Sequence, residues 1–238
     1  MRSRTAKDGK VSKADPRSPA CCPPVPVFQM VLAVASIVIV GIWAYQTSFQ
    51  GALLFDDGPL ISDNRRIRTL WPITPLLSAT TRPVVEVSLA LNYALSGKQL
   101  WSYHAVNLAL HVLVALLFFG LVRRTLEFSR YRPGVGEASW GAALSCALVW
   151  VAHPLNTQSV TYMIQRAEVL MGLCYLLTLY ALARGHSAAA PQGWYAIGVL
   201  SCALGMGSKP IMVTAPLMAL LYDRIFLAGS VRQALRRL

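Results

Sequence analysis

Charge is scarce in this sequence. Of 238 residues only 13% are charged, and acidic side chains number 10. An ordinary soluble domain carries about twice that charge. Cysteine is scarce too, five in all. Cys146, Cys174 and Cys202 lie inside apolar runs, where they behave as small hydrophobes. Cys21 and Cys22 are adjacent and precede the first apolar run, a position open to acylation, with two unmodified thiols the favoured reading. No pair has metal-ligand spacing, which excludes a disulfide framework and a cysteine metal site. There is no tandem repeat, so a solenoid is excluded. No small-residue cleavage site follows the first apolar run, so that run reads as an anchor and not as a removed signal peptide.

What is present is apolar and segregated. Hydrophobic residues make up 55% of the chain, and they fall into long runs. That pattern predicts an all-α membrane protein with about six spans rather than one large soluble core. The runs are 27–45, 103–122, 139–152, 156–183, 194–207 and 211–227. The basic excess, 22 Lys and Arg against 10 acidic residues, would suggest nucleic acid in a soluble chain. Here it has another cause: basic residues hold loops on the cytoplasmic side. Residues 1–26 read as a disordered basic tail. If that tail is cytoplasmic, alternation puts the Arg-rich stretches 123–138, 184–193 and 228–238 on the same side. The other side receives the 47–101 loop and the turns at His153-Pro154 and Ser208-Lys209-Pro210. Within the long loop, Pro83 suits a first helical position, and 83–95 predicts a short interfacial helix. The sequence stops in Arg-rich residues just past a span, which gives the membrane domain 27–227 the look of a fragment.

The polar residues of this non-cytoplasmic side carry the chemistry. Asp56 and Asp57 are adjacent in Phe55-Asp56-Asp57-Gly58-Pro59. Carboxylates beside lipid need solvation, a partner or a cation. They suit a general base, a shared divalent cation or an ordinary Asp-Gly-Pro turn. Arg82 precedes Pro83, with Glu86 one turn on, an i,i+4 ion pair or an anion contact. His104, Asn107 and His111 share one helix face, suited to interhelical hydrogen bonds and, less well, to a metal. After His153-Pro154, the residues Gln158, Thr161, Tyr162, Gln165, Arg166 and Glu168 fill an arc of roughly 160° at ~100° per residue. A helix entering the membrane with half its surface polar must line a wet cavity, and Arg166 there suits a phosphate or pyrophosphate. Lys209 either snorkels or adds a second cation.

Taken in order, Phe55-Asp56-Asp57, Arg82-Pro83, Leu91-Asn92-Tyr93-Ala94-Leu95, Tyr103-His104-Ala105-Val106-Asn107 with His111, His153-Pro154-Leu155-Asn156-Thr157-Gln158, Arg166-Ala167-Glu168, Ser208-Lys209 and Leu221-Tyr222-Asp223 form a familiar series. Over about residues 28–227 the chain resembles the N-terminal membrane half of the transmembrane and tetratricopeptide repeat-containing glycosyltransferases. These belong to the GT-C superfamily, which also holds the protein O-mannosyltransferases. The resemblance implies transfer of a sugar from a polyprenyl-phosphate carrier to an acceptor hydroxyl, often on protein. By the same match, Asp56 or Asp57 is the base or a metal ligand, and Arg166 and Lys209 face the lipid-linked phosphate. Arg82, His104, Asn107, His153, Gln158 and Glu168 complete the implied substrate site. No certain cofactor is implied; a divalent cation is the one option. The family continues Ser-Lys-Glu where this chain has Ser208-Lys209-Pro210, so one acidic group is absent from that corner. Two rival readings are a non-catalytic anchor or scaffold, and a transporter, which predicts broken helices and inverted repeats. The compact loops favour a bacterial inner membrane over the endoplasmic reticulum.

Overall fold

The computed structural model describes residues 26–128 and 135–228, and of residues 135–138 and 228 the helical backbone alone. The basic tail, Cys21, Cys22, Arg130, Arg132 and the C-terminal arginines lie outside the described residues. Every described element is helical, as the apolar runs predict. α1 spans Val27–Tyr45, carries no charge, and follows Pro26. Short pieces in the long loop come next, of which α2 is Thr74–Ser78. α3, Pro83–Ser96, opens on the proline and ends at Gly97, whose φ of 59° continues no right-handed helix. This is the expected loop helix. α4 covers Leu100–Phe128, longer at both ends than its apolar centre. At 1.5 Å per residue it runs about 44 Å, well past a hydrocarbon core of about 30 Å. α5 is Val135–Val151, α7 Arg166–Ser187, α8 Pro191–Met206 and α9 Ala215–Tyr222, with the short α6 at Thr157–Thr161.

By length and composition, four helical stretches can cross a membrane: Val27–Gln50, Leu100–Phe128, Met163–Ser187 and Pro210–Leu227. Ser139–Val151 is a shorter apolar helix, and α8 has 16 residues. Val27, Phe28, Val31, Ile39 and Ile42 of α1 and Val199 and Leu200 of α8 are exposed. Lipid is the solvent such surfaces fit, since helical backbone leaves no polar group unpaired in hydrocarbon.

α4 is the central helix, packed against α1, α5 and α7, while α8 packs on α7. One core joins Ala33 and Ile37 of α1, Val112 and Ala115 of α4, and Ala143 and Ala147 of α5. The small residues let the backbones approach closely. Gly41 marks a close approach: a Cβ there would stand 3.0 Å from Val112 Cγ2 and 3.5 Å from Val151 Cγ2. Gly41→Leu is therefore expected to destabilise the bundle by about 1–3 kcal/mol through overpacking, read as a lower thermal midpoint in detergent. An unchanged midpoint would refute this packing. A second core, at the other end of α4, joins Ile61, Ile67 and Leu76 of the loop to Val85, Leu89, Tyr103, Met163 and Ala167. The loop is thus docked on the bundle.

Two expected spans differ in detail. The stretch 156–183 is not one helix: it runs as a 3₁₀ turn at Pro154–Asn156, α6, an extended Tyr162 (φ −99°, ψ 108°), a second 3₁₀ turn at Met163–Gln165, and α7. The span 211–227 likewise begins as a 3₁₀ turn at Pro210–Thr214 and ends in a wider π turn after α9. Asn156 does not cap the first turn. Its Nδ2 donates to Trp150 O at 2.7 Å, closing α5, and His153 Nδ1 takes the capping role by accepting Leu155 N–H at 3.2 Å.

Candidate functional site

The break at Tyr162 organises the site. Interrupting a helix inside a membrane protein frees backbone groups that need other partners. The sequence supplies them from α4 and from the long loop after α1. His104 Nδ1 lies 3.3 Å from Val160 O, and Asn107 Nδ2 donates to Met163 O at 3.1 Å. One turn further, His111 Nε2 lies 3.1 Å from Val151 O while its ring stacks on Trp150 at 4.8 Å. All three side chains are buried. Interhelical hydrogen bonding is what this face does. His104 Nε2 has no hydrogen-bond partner; it sits against the backbone of Gly51, where a Cβ would come within 3.2 Å of it.

The freed Ile164 N–H goes to the acidic pair. It donates to Asp57 Oδ1 at 2.9 Å, and Leu54 N–H donates to Asp57 Oδ2 at 3.2 Å. Asp57 is fully buried, so it pins the long loop to the break. Asp56 is exposed. Its N–H donates to the Tyr162 hydroxyl at 3.2 Å, and the Phe55 and Tyr162 rings meet edge-to-face at 6.3 Å. Phe55 adopts a left-handed backbone, φ 43°, which turns the chain so that the two neighbouring carboxylates face opposite environments. As a divalent-cation site the pair does not fit. Such ions take several oxygens, and both oxygens of Asp57 already accept N–H groups. Among the described residues no three His, Cys, Asp or Glu side chains gather as a metal site.

Arg166 differs most from expectation. The polar arc assumed an unbroken helix and placed it in a wet cavity. With the break in place, Arg166 enters α7 pointing inward and is 0% exposed. Its guanidinium makes five hydrogen bonds, to Asn107 Oδ1, Asn92 Oδ1, Tyr103 O, Ser88 O and Ser88 Oγ, at 2.7 to 3.3 Å. Every acceptor is neutral, and the cation also lies over the Tyr103 ring at 5.6 Å. This is a clamp joining α3, α4 and α7, not a free anion contact.

Glu168, two residues on, forms an ion pair with Lys209, and both are partly exposed. Pro210 follows the lysine, and the carboxylate that Lys209 meets comes from α7. Arg82 does not pair with Glu86. Glu86 is buried and held by Arg66 at 3.1 Å and by Asn64 Nδ2 at 3.3 Å, while the Arg82 side chain is exposed. Gln158 and His153 are exposed as well. The structure therefore brings Asp56, Asp57, Arg166, Glu168 and Lys209 to one end of the bundle. Asn92 and Ser88 escaped the sequence reading as arginine ligands. Their i,i+4 spacing on the loop helix, one polar face on an otherwise apolar segment, was the signal that could have found them.

Fold and site together define a polytopic all-α membrane protein with a long docked loop and a polar site where that loop meets a broken helix. Its sequence is homologous to protein O-mannosyl-transferases. It is 29% identical to protein O-mannosyl-transferase Tmtc3 of Drosophila melanogaster over 174 residues, 62% of this chain and 18% of that protein. It is 27% identical to protein O-mannosyl-transferase TMTC2 of Homo sapiens over 202 residues, 77% of this chain and 23% of that protein. Against protein O-mannosyl-transferase Tmtc2 of Drosophila melanogaster the identity is 31% over 163 residues, 65% of this chain and 16% of that protein. The chain thus spans about a fifth of the length of these relatives. No family model and no solved structure matches it. The relatives are eukaryotic, which corrects the preference for a bacterial inner membrane drawn from the compact loops; the multi-pass membrane assignment stands. Loop length reflects how tightly the spans are joined and says little about which membrane holds them.

Proposed function

We propose that this chain is the membrane part of a glycosyltransferase that moves a sugar, as its relatives' names specify mannose, from a polyprenyl-phosphate carrier to a protein hydroxyl on the non-cytoplasmic side. The observation that carries the reading is the unequal fate of the acidic pair. Asp57 is consumed in docking the loop, and that docking leaves the Asp56 carboxylate exposed beside the break. In the reaction, Asp56 takes the proton of the acceptor hydroxyl. The acceptor oxygen bonds to the anomeric carbon and inverts it. The bond from that carbon to the phosphate oxygen breaks, and the carrier phosphate leaves with the electron pair. Lys209, partly exposed, is the cation nearest to hand for that anion, and Glu168 holds it in place until the phosphate arrives. Arg166 positions the floor of the site without touching substrate.

A second reading has its own support. With Arg166 enclosed and Lys209 already paired, neither of the two cations expected to meet a phosphate stands free. A non-catalytic scaffold would look the same. The separating experiment places the chain in proteoliposomes with polyprenyl-phosphate mannose and a Ser/Thr peptide. Mannosylated peptide is the expected product, and donor photo-crosslinking to the 54–57 or 208–212 segment is the expected binding signal. A folded chain that shows neither supports the scaffold and ends the transferase reading.

A further inference from the structure

At the opposite end of α4 and α7 from the acidic pair, a different pair of features meets. Between the two helices runs an apolar groove of about 340 Å³, lined by Leu113, Leu116 and Leu117 of α4 and Leu173, Leu177 and Tyr180 of α7. Gly120 opens it: a Cβ there would stand 3.0 Å from the Tyr180 ring. The lining residues span seven positions on each helix, about 10 Å of rise, within the half of a bilayer nearer that end. The groove ends at Tyr180, and there the chemistry changes from apolar to cationic. Arg124 lies beside Tyr180 and Arg184. Arg184 stands over the Trp194 ring at 5.2 Å, and Trp194 meets Tyr180 edge-to-face at 6.2 Å. The nearby carboxylate, Glu127, is held by Arg123 at 2.9 Å.

We infer that this groove and its two arginines form a binding site for an anionic phospholipid, the phosphate headgroup between Arg124 and Arg184 and an acyl chain along the leucines. The occupant follows from complementarity at both ends. A groove walled by leucine takes hydrocarbon. The two guanidiniums lie close enough to repel each other, and a phosphate offers each of them charge-assisted hydrogen bonds. Tyr180 and Trp194 supply the amphipathic rings that sit at headgroup level. The site stands at the far end of α4 from His104, 20 positions or about 30 Å away. It is therefore separate from the transfer site and holds whether or not that proposal does.

The test offers detergent-purified chain phosphatidylinositol and phosphatidylcholine of matched acyl chains and counts bound lipid by native mass spectrometry. Phosphatidylinositol is expected to be retained at one copy while phosphatidylcholine is stripped. Replacing both arginines, Arg124→Gln with Arg184→Gln, is expected to weaken phosphatidylinositol binding about thirtyfold, at roughly 1 kcal/mol per basic residue. Leu177→Trp, which fills the groove and leaves both arginines in place, is expected to weaken it as well and serves if the double variant does not fold. Equal retention of the two lipids overturns the proposal. So does unchanged binding in a folded double variant, displacement of the lipid by inorganic phosphate, or stronger binding of polyprenyl phosphate than of phosphatidylinositol.

Discussion

Asp56→Asn is expected to lower the rate of sugar transfer about 10²–10⁴-fold, the usual contribution of a positioned general base. The change keeps the size of an exposed side chain that makes no side-chain hydrogen bond among the described residues, so the thermal midpoint should not move. Donor binding should also persist, because Asp56 acts on the acceptor. Asp57→Asn has the opposite profile. It puts an amide where two backbone N–H groups now donate to a buried carboxylate, and hydrogen bonds to a charged group are worth about 1.5–3 kcal/mol each. It should lower the midpoint as well as the rate. The two variants are compared in the same membranes by peptide mannosylation and by thermal scanning. Loss of rate in Asp57→Asn at full stability, with Asp56→Asn fully active, would make Asp57 the base and leave Asp56 without a part in the chemistry.

Arg166→Ala carries the largest expected effect on stability. It strands two buried asparagine carbonyls and a main-chain carbonyl that now accept from one guanidinium. Breaking a buried charged network by removing one member costs about 3–5 kcal/mol. The variant should therefore fail to accumulate, or melt far below the parent in detergent. Arg166→Lys should rescue little, since an ammonium cannot reproduce the planar fork that reaches acceptors on α3 and α4 together. If Arg166 were instead a phosphate contact, the alanine variant would keep its midpoint and lose donor affinity. Measuring the midpoint and donor binding side by side decides between them.

The fold was largely readable from residues because it rests on two strong signals. Long uncharged runs announce their helices, and Pro83 announces the start of the loop helix. The site was less readable, for three distinct reasons. The break at Tyr162 carries no proline or glycine, so a helical wheel drawn through 158–168 treated two pieces as one and turned Arg166 the wrong way. The partners of Arg166 are neutral and lie 59 to 78 residues away, where no charge pattern points. Glu168 meets Lys209 across 41 residues, a separation at which no local charge pattern points from one to the other. Asp56 and Asp57 looked equivalent in sequence, and Phe55 is what divides them: its backbone twist sends one inward and one outward.

The extended residue at Tyr162 also sets how the molecule loses order. The amide of Ile164 has no helical acceptor to fall back on; its partner is a loop carboxylate 107 residues away. Opening the loop therefore exposes the backbone of the bundle itself, and loosening the bundle at that point releases the loop. Local fraying of one without the other is suppressed, so the segment 54–57 and the start of α7 behave as a single cooperative unit.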